Sequence, residues 1–148
     1  MFDDAEIIYS YTRAQALEDG ALVAVPDATA QEAGFVFPVA ITAAVWADCV
    51  AWTSADTDRI GIYQDQEGRL WDVLYMAVKA IGSGSGYPTT GRARYQLHRW
   101  ARDSVYVLTV DEDGFEETPE PLLVELVAVC GPGDDGAPVI TIMQPGED

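Results

Sequence analysis

Apolar positions along the chain fall into two regimes: spacings of three and four residues up to residue 81, and short runs rich in Val, Leu, Ile and Tyr beyond residue 92. The clearest periodic segment is 68–81, where Leu70, Trp71, Leu74, Ala77, Val78 and Ile81 recur at helical spacing and predict one apolar face. Residues 11–19 are rich in helix formers, with Thr12 available as N-cap and Gly20 placed to end the helix in a left-handed conformation. Residues 22–25 read as a brief strand that Pro26 stops, and Asp27 can cap a helical turn ending near Gly34. Thr42 is positioned to cap a buried helix over 43–52, where Val45, Trp46, Cys49, Val50 and Trp52 crowd one side and Asp48 lies opposite. The polar stretch 53–66 reads as a loop.

The run Gly82-Ser83-Gly84-Ser85-Gly86 is a flexible break that closes the helical half. Beyond it, residues 93–100, 105–110, 122–129 and 139–143 have the composition of strands separated by turns. Residues 131–136 are nearly pure turn chemistry, so the last two strands should form an antiparallel hairpin. The pattern predicts an α+β fold, with N-terminal helices packed on a mainly antiparallel sheet formed largely by the C-terminal half. A length of 148 residues suits a single domain over 1–148, interrupted only by the break at 82–86.

Composition turns attention to charge. The chain carries 25 acidic and 8 basic side chains, a formal net charge of −17, yet 49% of it is hydrophobic, far from the composition of a disordered acidic chain. Such a surface repels nucleic-acid phosphates and anionic lipid and attracts basic partners, so neither direct nucleic-acid binding nor membrane association is expected. The apolar runs 35–41 and 122–129 are too short to cross a bilayer, and the first residues lack the positive region of a secretory signal, which together predict a cytoplasmic protein. Cys49 and Cys130 have no spacing that suggests a disulfide framework or a zinc site, and they are expected as buried thiols.

The charge is unevenly placed. Residues 92–102 hold Arg92, Arg94, Arg99 and Arg102 with no acid, whereas residues 103–148 hold 12 acids with no base. In that last stretch Asp111, Glu112, Asp113, Glu116, Glu117 and Glu120 concentrate between two predicted strands, and Asp134 and Asp135 fall in the predicted hairpin turn. Two accounts compete: a solvated face that keeps the protein dispersed, and a rigid acidic face that imitates the phosphates of a nucleic-acid strand. On the basic stretch, Arg94, Gln96, His98 and Trp100 share one face of a strand. Its arginines are expected to pair with the chain's own carboxylates.

Catalytic motifs fail one by one. His98 is the only histidine, and no Gly-x-Ser-x-Gly elbow accompanies it. The 82–86 glycines follow a helix and lack the Gly-Lys-Ser/Thr of a phosphate loop. Asp111-Glu112-Asp113-Gly114 has the acidic start of a calcium loop, but its glycine arrives two positions early and no flanking helices are predicted. No catalytic residue, metal or cofactor is expected, and oligomeric state is not readable.

The segments 11–20, 37–50, 69–74 and 131–143 resemble those of a family of small acidic proteins, of uncharacterised activity, carried by bacterial plasmids and integrative mobile elements. The middle of the chain, 82–120, departs from that pattern. The resemblance implies genomic company: mobile elements often carry acidic proteins that disarm host restriction or CRISPR systems, an argument by analogy. The expectation is an anti-CRISPR or anti-restriction inhibitor that meets a basic nucleic-acid-binding protein or complex through Asp111, Glu112, Asp113, Glu116, Glu117, Glu120, Asp134 and Asp135. The alternative is a small enzyme modifying a nucleotide or protein target, with Arg13 and an acid from the later strands around a cleft.

Overall fold

A computed structural model describes residues 11–82, 91–102 and 121–147. In chain order the elements are α1 (Arg13–Asp19), β1 (Leu22–Ala24), α2 (Asp27–Ala33), β2 (Val39–Thr42), α3 (Ala43–Val45) continuing into a π-helical turn (Trp46–Val50), α4 (Ser54–Ile60), α5 (Gln66–Gly82), β3 (Gly91–Arg99), β4 (Leu122–Pro132) and β5 (Pro138–Met143). The strands form one sheet in the order β1-β2-β5-β4-β3. Every pairing is antiparallel except β2 with β5, which is parallel. The architecture is α+β, with helices concentrated in the N-terminal part and the longest strands in the C-terminal part.

Local chemistry explains the element ends. Thr12 and Gln15 close a reciprocal capping box at the start of α1, with Thr12 Oγ1 accepting from the Gln15 amide at 3.0 Å and Gln15 Oε1 from the Thr12 amide at 2.9 Å. Gly20 then ends the helix at φ 81°, a region in which a side chain would be strained. The hairpin expected over 131–136 joins β4 to β5 in antiparallel register, Val129 facing Thr141.

Register divides the sheet into two faces. Ile41, Ile140, Ile142, Leu126, Ala128 and Tyr95 point to one side, where α5 covers them with Leu70, Val73, Leu74, Ala77 and Ile81. Tyr95 spans the layers by donating from its hydroxyl to the Val73 carbonyl at 3.2 Å. Ile41, Leu74, Leu126, Ile140 and Ile142 are fully buried, and truncating any of them to alanine would cost about 2–5 kcal/mol. On the opposite face, Arg13 of α1 reaches Thr141 of β5.

Several expectations are corrected. Trp71 is 38% exposed, whereas Val73, absent from the predicted face, is fully buried. At about 100° per residue Trp71 lies roughly 60° beyond Leu74, and the buried stripe is rotated toward Arg69 instead. The supposed loop over 53–66 contains α4, which Thr53 caps and which Ile60 anchors in the core. Val39–Thr42 is a strand, bringing parallel pairing that the pattern did not announce. The helix expected over 43–52 keeps its Thr42 cap but widens into the π-turn, and Ala51 has left the helical region at ψ 130°. Pro26 stands at the N-cap position of α2, with Asp27 inside its first turn. α5 runs through Gly82, so the helix ends no earlier than the first glycine of the predicted break. The remainder of that break, 83–86, and the predicted strand 105–110 lie outside the described residues.

Candidate functional site

Chemistry-bearing side chains converge where the π-turn, α4, α5 and the end of β3 meet. A π-turn carries one residue more per turn than the α-helix, a feature that recurs at functional sites. Here Cys49 and Val50 go into the core, while the partly exposed Asp48 carboxylate meets Arg99 at the end of β3. Arg99 grips Asp48 with two nitrogens: Nε donates to Oδ2 at 3.2 Å, and Nη2 lies 3.0 Å from Oδ1 and 3.1 Å from Oδ2. Its third nitrogen, Nη1, is buried and has no hydrogen-bond partner.

Asp56 is 3% exposed and fully occupied. Oδ1 accepts from Arg59 Nη2 at 2.7 Å; Oδ2 accepts from the Thr53 amide at 2.8 Å, Thr53 Oγ1 at 3.0 Å and Arg102 Nε at 3.0 Å. Burial by itself would raise this carboxyl, but the bonds from Arg59 and Thr53 and the charge of Arg102 outweigh it and hold it down at about 2. Arg59 also donates to the Arg102 carbonyl, so α4 and the chain after β3 are tied twice.

Arg69, at 3% exposure, uses its guanidinium as a bracket. Nε donates to the Val50 carbonyl at 3.1 Å, Nη1 to Trp100 at 2.8 Å and Nη2 to Asp48 at 3.1 Å, with the Trp52 ring 4.7 Å from its central carbon. The planar fork caps the Asp48 and Val50 carbonyls at the end of the π-turn and ties them to the Trp100 carbonyl after β3. Beside it, burial and the neighbouring Asp48 push the Cys49 thiol up to about 12, partly opposed by Arg99, so at neutral pH the sulfur is an inert thiol. Both cysteines are buried.

The basic stretch pairs internally, as its placement in so acidic a chain leads one to expect. Arg94 meets Glu125 across the β3–β4 ladder at 2.9 Å, Arg99 meets Asp48, and Arg102 meets Asp56. None of these three carboxylates belongs to the predicted partner-binding set. The exposed Glu18, Asp27, Glu32, Asp58, Glu67 and Asp72 also stand outside those pairs.

Of the predicted set, Asp111, Glu112, Asp113, Glu116, Glu117 and Glu120 lie outside the described residues. Asp134 and Asp135 are exposed in the β4–β5 turn, and both also shape the chain. Asp134 accepts from the Ala14 and Arg13 amides, each at 2.9 Å, so it caps α1 from across the fold, and those bonds lower its pKa. Asp135 accepts from the Ala137 amide at 3.0 Å within its own turn. The chain enters β4 at Leu122 and leaves it at Pro132, a run of 11 residues spanning on the order of 30 Å. The turn that carries Asp134 and Asp135 therefore lies at the opposite end of β4 from Leu122.

Beside Arg13, α1, β1 and the β4–β5 turn border an open depression of about 420 Å³, with Asp134 on its wall. Its charged groups are already engaged. Arg13 donates to Thr141 Oγ1 at 2.6 Å and to the Ile140 carbonyl at 2.9 Å, which makes it a tie between α1 and β5, not the solvent-facing residue a first-turn arginine suggests.

Asp56 and Arg69 were missed from sequence. The first had a signal, Thr53-x-x-Asp56 in capping-box spacing; the second is one cation beside an apolar helical stripe, indistinguishable from a residue that reaches solvent. Among the described residues no group of three or more His, Cys, Asp and Glu is placed to hold a metal ion, and no helix is long and apolar enough to cross a membrane.

A family model, DUF6573, described as a family of unknown function, matches residues 1–87, more than half of the chain. The chain belongs to this family. The DUF6573 match takes in α1 to α5 with β1 and β2, and thus Asp48, Asp56 and Arg69, and ends before β3, which carries Arg99. No curated protein and no solved structure matches the chain.

Proposed function

We propose that this protein is an inhibitor carried by a mobile genetic element, acting in the cytoplasm by binding a basic nucleic-acid site on a host restriction or CRISPR complex. The observation that carries the reading is where the arginines go. Arg94, Arg99 and Arg102 pair with Glu125, Asp48 and Asp56, none of which belongs to the acidic set Asp111 to Glu120 with Asp134 and Asp135. With a net charge of −17, a folded scaffold whose strand arginines pair with its own carboxylates presents an outward field dominated by negative charge. A cationic groove that meets this surface releases the same counterions as when it binds a polyanion, so association is fast and weakens steeply with salt. The site residues under this reading are Asp111, Glu112, Asp113, Glu116, Glu117 and Glu120, with Asp134 and Asp135 supplying a second contact. No direct nucleic-acid binding is involved.

The test is capture from bacterial lysate at low and high salt, followed by competition between this protein and DNA or RNA for the captured complex. Reversing Asp111, Glu112, Asp113, Glu116 and Glu117 to lysine should abolish the competition. Competition that survives the reversal refutes the proposal.

A further inference from the structure

We infer that the exposed face at the start of α5 is a docking surface for an arginine-bearing segment of a protein partner. Its centre is an open depression of about 540 Å³ bordered by Tyr63, Asp65, Glu67, Arg69, Trp71 and Asp72. Two features, one aromatic and one electrostatic, specify the occupant.

Leu70, Val73, Leu74, Ala77 and Ile81 turn one side of α5 into the core, while Trp71 and Tyr75, four residues apart, stand on the other side at 38% and 45% exposure. Tyr63, at 76% exposure, joins Trp71 at the depression. None of the three rings belongs to the core. One exposed aromatic needs no explanation, but neighbouring ones mark interaction surfaces, where Trp and Tyr are enriched. The stripe already holds one cation: Lys79 Nζ stands 4.8 Å from the centre of the Tyr75 ring. Among the described residues no cation stands over Trp71 or Tyr63.

Around the depression, Asp65, Glu67 and Asp72 face a single cation, Arg69, which is 3% exposed and committed to three carbonyls. Part of that acidity serves the helix: Asp65 accepts from the Gly68 amide, and the N-terminal dipole of α5 is equivalent to about half a positive charge. The balance is still negative. No ion pair among the described residues claims Glu67 or Asp72. Desolvation raises the Asp72 carboxyl and Arg69 only partly opposes this, so the group is short of compensating charge. Aromatic faces beside unpaired carboxylates favour a flat, weakly hydrated cation that can stack and donate at once, which describes guanidinium better than ammonium.

This surface shares no residue with the acidic set Asp111 to Glu120, Asp134 and Asp135, so it stands or falls apart from the inhibitor reading. Isotope-labelled full-length protein is titrated with hexa-arginine and with hexalysine at physiological ionic strength, following backbone amide and tryptophan indole resonances. Hexa-arginine should give saturable shifts centred on the Trp71 indole and residues 63–72, and hexalysine should bind several-fold more weakly. Trp71→Ala should weaken hexa-arginine binding about three- to tenfold, the range expected for loss of a partly exposed cation–π contact. Glu67→Gln combined with Asp72→Asn keeps the rings and removes two charges, and should also weaken it several-fold, which keeps the test decisive if the alanine variant does not fold. Reversing Asp111, Glu112, Asp113, Glu116 and Glu117 to lysine should leave the shifts at Trp71 in place, and their loss would assign the binding to that acidic stretch and overturn the inference. Shifts spread over the acidic surface with no maximum at Trp71, equal affinity for the two peptides, or unchanged affinity in a folded variant overturn it as well.

Discussion

Replacing Arg69 with methionine isolates what the buried guanidinium contributes, because the methionine keeps most of the apolar stem and removes the fork. Three carbonyls lose a charged donor: Val50, Trp100 and Asp48. The bond to Val50 is buried and those to Trp100 and Asp48 are partly buried, so water can replace the latter two but not the first. Hydrogen bonds to a charged group contribute about 1.5–3 kcal/mol each, and an orphaned buried acceptor costs about 1–3 kcal/mol. Against this, removing the cation returns its own desolvation cost, which for buried charges offsets much of the attraction. The balance, with the lost stacking on Trp52 at 4.7 Å, is a destabilisation of about 3 kcal/mol. Urea unfolding followed by tryptophan fluorescence should show the midpoint falling by about 1–2 M with an unchanged slope. Arg69→Lys should recover little, since one ammonium cannot reach three divergent carbonyls. Arg94→Met, whose pair with Glu125 is 71% and 42% exposed, should cost under about 0.5 kcal/mol. A loss below about 1 kcal/mol for Arg69→Met, or one equal to that of Arg94→Met, would refute the bracket.

Asp56 predicts a pH dependence whose sign is fixed: its folded pKa of about 2 lies below the ordinary carboxylate value of about 3.9, so its contribution is complete above about pH 5 and is lost as pH falls toward 2. Asp56→Asn should flatten the acid limb of stability against pH in that window; a limb of unchanged slope contradicts the network. Cys49, 1% exposed and pushed up to about 12, should resist alkylation at neutral pH until denaturant is added, as mass spectrometry of native and unfolded protein would show; rapid native labelling of Cys49 contradicts its burial. Gly34 sits at φ 112°, and a Cβ there would lie 3.2 Å from Val78 Cγ1, so Gly34→Ala should cost about 1–2 kcal/mol in thermal or urea unfolding, whereas a neutral effect would deny both the strain and the contact.

Local rules carried much of this fold. The cap at Thr12, the left-handed stop at Gly20, the stripe from Leu70 to Ile81 and the turn before β5 each depend on residues within a few positions of one another, so the order of letters specifies them. The pairing of Arg94, Arg99 and Arg102 with the chain's own carboxylates was also foreseeable, since a cation in a chain of net charge −17 has acids on every side. The long-range partners were not. That Asp48 meets Arg99, Asp56 meets Arg102, Asp134 caps α1 and Arg69 closes the π-turn depends on β2 lying parallel to β5 and on a helix rotated by part of a turn. Such contacts join residues from 19 to 121 positions apart. Periodicity tells which face of a helix is apolar, but it holds no information about which distant carbonyl a buried cation will find, because that choice is made by the packing of whole layers against each other.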